Sequence, residues 1–154
     1  ETERELTTRH VGDCIAKSAR ALFRIVPGVR IVQFGYDLLC KGDTYAKNSA
    51  ACAHRTGAAC YHRPLTKMQR VLEANVTRGV KSANYSVLNL QGTFQRAAGE
   101  ANAPNLDEFS PKKYLQTDCL HPSPLGWTTL FERLADEYFL PQQLADVRRI
   151  AGLN

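Results

Sequence analysis

The chain has 154 residues, of which 44% are hydrophobic and 23% are charged. This composition is typical of a folded globular domain and excludes disordered, collagen-like and coiled-coil chains. The net charge is +5, but the basic residues are spread without a run of five, so no nucleic-acid partner is expected. No stretch approaches the roughly 18 apolar residues of a transmembrane segment. The first residues contain neither Met nor a signal-peptide pattern, and we expect a processed end there.

The chain begins with a pattern of helix, turn and strand. Apolar and small residues recur at steps of three and four from Glu3 to Phe23, which predicts a helix. Pro27-Gly28 ends it, and the apolar run from Arg30 to Phe34 predicts a short buried strand. The helical stripe expected to face the core consists of Val11, Cys14, Ile15, Ser18, Ala19, Leu22 and Phe23.

The middle of the chain contains a long segment without periodicity. Residues 37–63 carry glycines, small residues and three cysteines, which favours a cysteine-rich excursion held by covalent links. Leu65, Met68, Leu72, Val76 and Val80 then share one stripe. We predict a helix from Pro64 to Val80 with Pro64 in its first turn.

The last half predicts one more strand and a capped helix. Residues 85–90 have the character of a strand, and residues 91–116 that of a loop with a short helix near residues 94–98. Ser123 can cap a helix that starts at Pro124, and Pro141 would close that helix before a final one over residues 142–151. The expected core face of the capped helix is formed by Trp127, Leu130, Phe131, Leu134 and Tyr138.

The order of these elements is that of an α/β sandwich with a parallel sheet. Two strands are too few for such a sheet, because parallel sheets are covered on both faces and average five or six strands. The sequence therefore has the length of a domain but the strand count of part of one.

The cysteines favour disulfides over a metal site. Cys40, Cys52 and Cys60 lie close in sequence to His54 and His62, so zinc is the alternative. No C-x-x-C pair is present, and the spacings are not those of a zinc finger or ribbon. The odd total of five cysteines predicts one thiol that is free or bonded outside the chain.

Two glycosylation sequons agree with a secretory route. They lie at Asn75 and Asn84, and together with the cysteines they predict a secreted protein or one in the lumen of the secretory or endolysosomal pathway.

Asp118 and His121 are the residues expected to do chemistry. They lie three apart, just before the capped helix. A carboxylate within reach of an imidazole holds it in one tautomer and stabilises the imidazolium that forms when it takes a proton from a nucleophile. The alternative is a turn residue beside a surface histidine.

The D-x-x-H-P string at residues 118–122, followed by an amphipathic helix, resembles the last block of the SGNH or GDSL hydrolase family. Residues 25–36 resemble the helix end and late strand of that fold, and residues 85–94 the strand before the catalytic loop. The resemblance implies a flavodoxin-like three-layer α/β/α sandwich with a parallel sheet, of which residues 1–154 are the C-terminal portion. It also implies that Asp118 and His121 are the acid and base of a Ser-His-Asp triad.

The other blocks of that family find no match here. The Ser nucleophile and the glycine and asparagine of the oxyanion hole belong to the first half of the fold. Gly42-Asp43-Thr44 imitates the nucleophile block only superficially. Residues 34–37 at a strand end are an alternative, as a degraded nucleophile block, but the chain between them and Asp118 leaves little room for the intervening sheet. We therefore expect a separate N-terminal chain to supply the Ser nucleophile and the oxyanion hole.

The function implied by the resemblance is hydrolysis of an ester or lipid substrate without a metal or organic cofactor. The alternative is a catalytically inactive, SGNH-like scaffold or binding subunit of a larger complex. Cys119 suggests a disulfide that pins the catalytic loop to the excursion or to the partner chain, the alternative being a buried free thiol. Tyr36 and Trp127 either line an acyl pocket or pack in the core.

Overall fold

The computed structural model describes residues 3–42 and 57–150. Helix α1 covers Glu3–Ile25 and strand β1 covers Ile31–Phe34, as the apolar pattern predicts. The predicted core stripe of α1 is partly wrong, because Val11 and Leu22 are each 47% exposed. The side chains that α1 buries are smaller ones, among them Ala16 and Ala19.

Helix α2 covers Ala59–Val80, so it begins five residues before the predicted start. Pro64 consequently lies inside the helix and not in its first turn. The end of the predicted excursion at 37–63 is therefore helical. The rest of its cysteine-rich part, including Asp43, Thr44, Cys52 and His54, lies outside the described residues.

Strand β2 covers Tyr85–Leu88 and pairs with β1 in parallel. The register places Ile31 opposite Tyr85 and Phe34 opposite Leu88. The fold is thus α/β with two parallel strands in the described part of the chain. The expectation of a fully buried β1 is wrong, since its first three residues are half-buried and Phe34 is 36% exposed.

Close contact between α1 and α2 explains which face of α1 is buried. A Cβ atom at Gly12 would lie 3.1 Å from Cβ of Asn75, and one at Gly79 would lie 2.8 Å from Cβ of Ala16. Small residues let the helices approach, and the direction of these pairings shows that they run parallel. Their shared core contains Ala16, Ala19, Val76 and Val80, with Ile31 and Tyr85 packed against it.

A second core lies on the opposite face of the sheet. Tyr85 packs against the first core and Leu88 against the second. Because side chains alternate along a strand, residues three apart point to opposite faces. The second core joins the ends of the strands to the last third of the chain, and its buried members are Cys40, Leu90, Phe94, Tyr114, Leu115, Cys119 and Leu130.

Helix α3 covers Thr93–Ala97, close to the predicted short helix, and a single 3-10 turn covers Lys112–Tyr114. Helix α4 covers Pro124–Leu134 and begins with the predicted cap, where Ser123 Oγ accepts the N–H of Gly126 at 3.2 Å. The side-chain cap satisfies one of the free N–H groups of the first turn.

Pro141 does not close this helix, contrary to the prediction. The chain continues through a wide π turn at Ala135–Phe139 into helix α5 at Leu140–Ile150, and Pro141 lies in the first turn of α5. The predicted core face is only half right. Leu130, Leu134 and Tyr138 are buried, whereas Trp127 is 40% and Phe131 54% exposed.

Candidate active site

Asp118 and His121 meet in a tight turn before α4. Oδ2 of Asp118 lies 2.5 Å from Nδ1 of His121. Its other oxygen accepts the backbone N–H groups of Leu120 and His121, each at 3.0 Å. One carboxylate therefore shapes the turn and binds the imidazole, and the structure brings the two predicted site residues together.

Cys119 is buried within this turn and attaches it to the loop after β1. Its φ of 59° is left-handed, which is uncommon for a residue other than glycine. A disulfide joins it to Cys40, and the Cys40 N–H donates to the Cys119 carbonyl at 3.3 Å. The predicted disulfide between Cys119 and the excursion is confirmed, and the alternative of a free Cys119 thiol is wrong.

The charge of Asp118 determines the tautomer of His121. The hydrogen bond with His121, together with the two backbone N–H groups, lowers the pKa of Asp118 to about 2. The carboxylate is ionised near neutral pH and can only accept hydrogen bonds. Nδ1 of His121 must then carry the hydrogen, which leaves Nε2 of the neutral ring as a proton acceptor.

His121 borders a cleft of about 290 Å³ at the carboxyl end of β1. The ring of Tyr36 stands edge-on to His121, with 6.1 Å between the ring centroids and an angle of 77°. Trp127 lines the same cleft. Both aromatic residues therefore belong to the surroundings of His121. Ligands of parallel α/β folds bind at this end of the sheet.

Asp37 is the polar residue at this cleft that the sequence analysis missed. Its carboxylate is 7% exposed and accepts the N–H groups of Leu38, Gly92 and Phe94 at 2.7, 2.5 and 2.8 Å. Burial raises the pKa of Asp37 to about 6, although these three donors and the charge of Arg133 oppose that shift. Through these hydrogen bonds, Asp37 joins the loop after β1 to the loop after β2.

The described residues that line the cleft include no serine. Ser123 is near in sequence, but its hydroxyl donates to the Lys113 carbonyl at 2.8 Å and caps α4. A serine nucleophile for His121 is therefore absent from the described lining of this cleft.

A zinc site finds no support in the described part of the chain, where no three His, Cys, Asp or Glu side chains cluster suitably. Cys40 is bonded to Cys119, and Cys60 is also disulfide-bonded. His62 is buried, with Nδ1 3.2 Å from the Leu106 carbonyl oxygen. Among the described cysteines, Cys14 has a free, exposed thiol.

The two sequons differ in their surroundings. Nδ2 of Asn75 is buried without a hydrogen-bond partner at the contact of α1 and α2. Asn84 is half-buried in the turn that leads into β2. A glycan on Asn75 requires the two helices to separate, so Asn84 is the sequon that this fold favours.

No family model, curated protein or solved structure matches this chain. No helix in the described residues is long and apolar enough to cross a membrane.

Proposed function

We propose that this chain is the C-terminal portion of an SGNH-type ester hydrolase. In this assembly it supplies Asp118 and His121, and a separate N-terminal chain supplies the Ser nucleophile and the oxyanion hole. The complete domain is a three-layer α/β/α sandwich, in which strands of the partner extend the parallel sheet beyond β1.

The observation that carries the proposal is the 2.5 Å contact between Asp118 and Nδ1 of His121 at the edge of an aromatic-lined cleft. An ionised carboxylate on Nδ1 and a free Nε2 are what a general base for a serine hydroxyl requires. Nε2 takes the proton of the serine as it attacks the ester carbonyl, and the resulting imidazolium gives a proton to the leaving alcohol. Backbone N–H groups of the partner hold the oxyanion.

Exposed apolar side chains near the cleft support a partner chain. Phe34 lies on β1, whose described pairing is to β2 alone. Leu125, Trp127 and Phe131 on α4 are 40 to 54% exposed. A second polypeptide that pairs with β1 and covers these side chains removes both apolar surface and an unpaired strand edge from water.

The proposed environment is the secretory or endolysosomal lumen. A disulfide between Cys40 and Cys119 forms and persists in an oxidising compartment. Asn84 is the proposed glycosylation site.

A fluorophosphonate probe applied to the native assembly, purified without reductant, tests this function. We expect a labelled serine on a second polypeptide, and His121→Ala should lower esterase turnover by about 10³-fold or more. His10→Ala is the matched control, because His10 is exposed on α1 and its loss should leave turnover unchanged.

The same experiment distinguishes the enzyme from a scaffold subunit. No labelled serine in an intact complex would favour the inactive scaffold. Full activity of His121→Ala would exclude His121 as the base. A native protein that consists of this chain alone would refute the two-chain assembly.

A further inference from the structure

A second and larger cavity lies beside the cleft. It has a volume of about 510 Å³ and opens between the first half of α1 and the middle of α2. None of the nine described residues that line it carries a charge. Val11 lines it from α1, and Leu65, Met68 and Leu72 line it from α2. Its size and lining are typical of a site for an apolar small-molecule group.

The packing of the two helices leaves this space open. Gly12 lies close to Asn75, and Gly79 lies close to Ala16. These contacts lie C-terminal to the cavity-lining residues of both helices, so α1 and α2 are in close contact there and not beside the cavity.

The side-chain amide of Gln69 forms the wall of the cavity that faces the sheet. It donates to Glu73 and accepts from Gln91, both at 3.2 Å. A Cβ atom at Gly35 would lie only 2.8 Å from this amide. The absence of a side chain at Gly35 therefore provides the space that the Gln69 amide occupies. Both polar atoms of the amide are engaged within the protein, which favours an apolar ligand in the cavity.

The cavity and the His121 cleft share two residues, Gly35 and Tyr36. Tyr36 contacts His121 on one side and lines the cavity on the other. We propose that the cavity binds the acyl chain of the ester substrate while the ester carbonyl lies beside His121. The preferred substrates are then medium- or long-chain acyl esters, which occupy the cavity, over acetyl esters, which do not reach it. This inference rests on the proposed hydrolase function.

Chain-length selectivity of the native assembly tests the inference. Val11→Trp should fill the cavity, and kcat/KM for p-nitrophenyl decanoate should fall by at least about tenfold while that for the acetate ester is retained. Leu22→Trp is the matched control, because Leu22 is also on α1, is 47% exposed like Val11 and lies outside the cavity lining. An unchanged ratio of decanoate to acetate activity in Val11→Trp would overturn the inference and leave the hydrolase function intact.

Binding of cis-parinaric acid to the native assembly, with this chain unaltered or substituted, tests the cavity without catalysis. If the assembly cleaves neither ester, the proposed function fails, and this fluorescence assay decides whether the cavity takes an acyl chain. Binding by the unaltered chain and by Leu22→Trp, with loss in Val11→Trp, supports the site. No binding, or equal binding by all three proteins, overturns it. Far-UV circular dichroism verifies that both variants keep their helices.

Discussion

The disulfide between Cys40 and Cys119 fastens the turn of the proposed catalytic residues to the loop that follows β1. The two cysteines are 79 residues apart in sequence, and their Cα atoms are 4.8 Å apart. Since the bond closes a long loop, it restricts the unfolded chain strongly. We expect Cys40→Ala to lower the free energy of unfolding by about 2 to 5 kcal/mol in urea denaturation.

Cys14→Ala is the control for this measurement. It removes an exposed free thiol and should leave the urea midpoint unchanged. A Cys40→Ala protein that unfolds at the midpoint of the unaltered chain would mean that backbone contacts alone hold the turn.

Asp118 fixes the tautomer of His121, and this can be measured in the chain on its own. Long-range ¹⁵N–¹H NMR at a pH where His121 is neutral should show the hydrogen on Nδ1, because the ionised carboxylate 2.5 Å away accepts it. Asp118→Asn should weaken this preference, since an amide can also donate to the ring. Nδ1 of His62 faces the Leu106 carbonyl, so the His62 signals should stay unchanged. A His121 ring protonated on Nε2 in the unaltered chain would contradict the proposed base.

Burial of Asp37 predicts a specific pH dependence of stability. Its pKa is about 6 in the folded chain, against an ordinary value of 3.8. Between these values the folded state binds more protons than the unfolded state, so the Asp37 contribution to stability is present at low pH and is lost as the pH rises. Complete ionisation costs about 3 kcal/mol.

The difference in unfolding free energy between the unaltered chain and Asp37→Asn isolates this effect. We expect the unaltered chain to become less stable relative to Asp37→Asn as the pH rises from about 4 to 7. Asp13→Asn makes the same charge change at an exposed position of α1, and it reports the effect of net charge. A flat or opposite difference for Asp37→Asn would show that its three N–H donors outweigh burial.

Local patterns predict the local features of this fold. The pattern of apolar residues is sufficient to predict α1 and both strands. The spacing of three residues is sufficient to predict that the side chains of Asp118 and His121 meet. The helix cap at Ser123 is equally local. Each of these features depends on contacts within a few residues of sequence.

Contacts between distant segments explain what the sequence did not predict. The buried face of α1 depends on Gly79, a residue of another helix. Asp37 acts through the N–H groups of Gly92 and Phe94, which are 55 and 57 residues away. Such partners leave no periodic signal, and an acidic residue three positions after the end of a strand is the only local hint of this role.

Gly126 allows α4 to rest directly on the 3-10 turn. A Cβ atom there would overlap the carbonyl oxygen of Tyr114, which also accepts the N–H of Ser123 at 2.9 Å. Alanine in place of an exposed helical glycine stabilises a protein by about 0.5 to 1 kcal/mol. At this buried position we expect Gly126→Ala to destabilise the chain by about 1 to 3 kcal/mol, because the start of α4 must move away from the turn. Leu125→Ala, at a side chain that is 47% exposed, is the neighbouring control in urea denaturation. A stabilised Gly126→Ala chain would show that α4 does not pack on Tyr114 in this way.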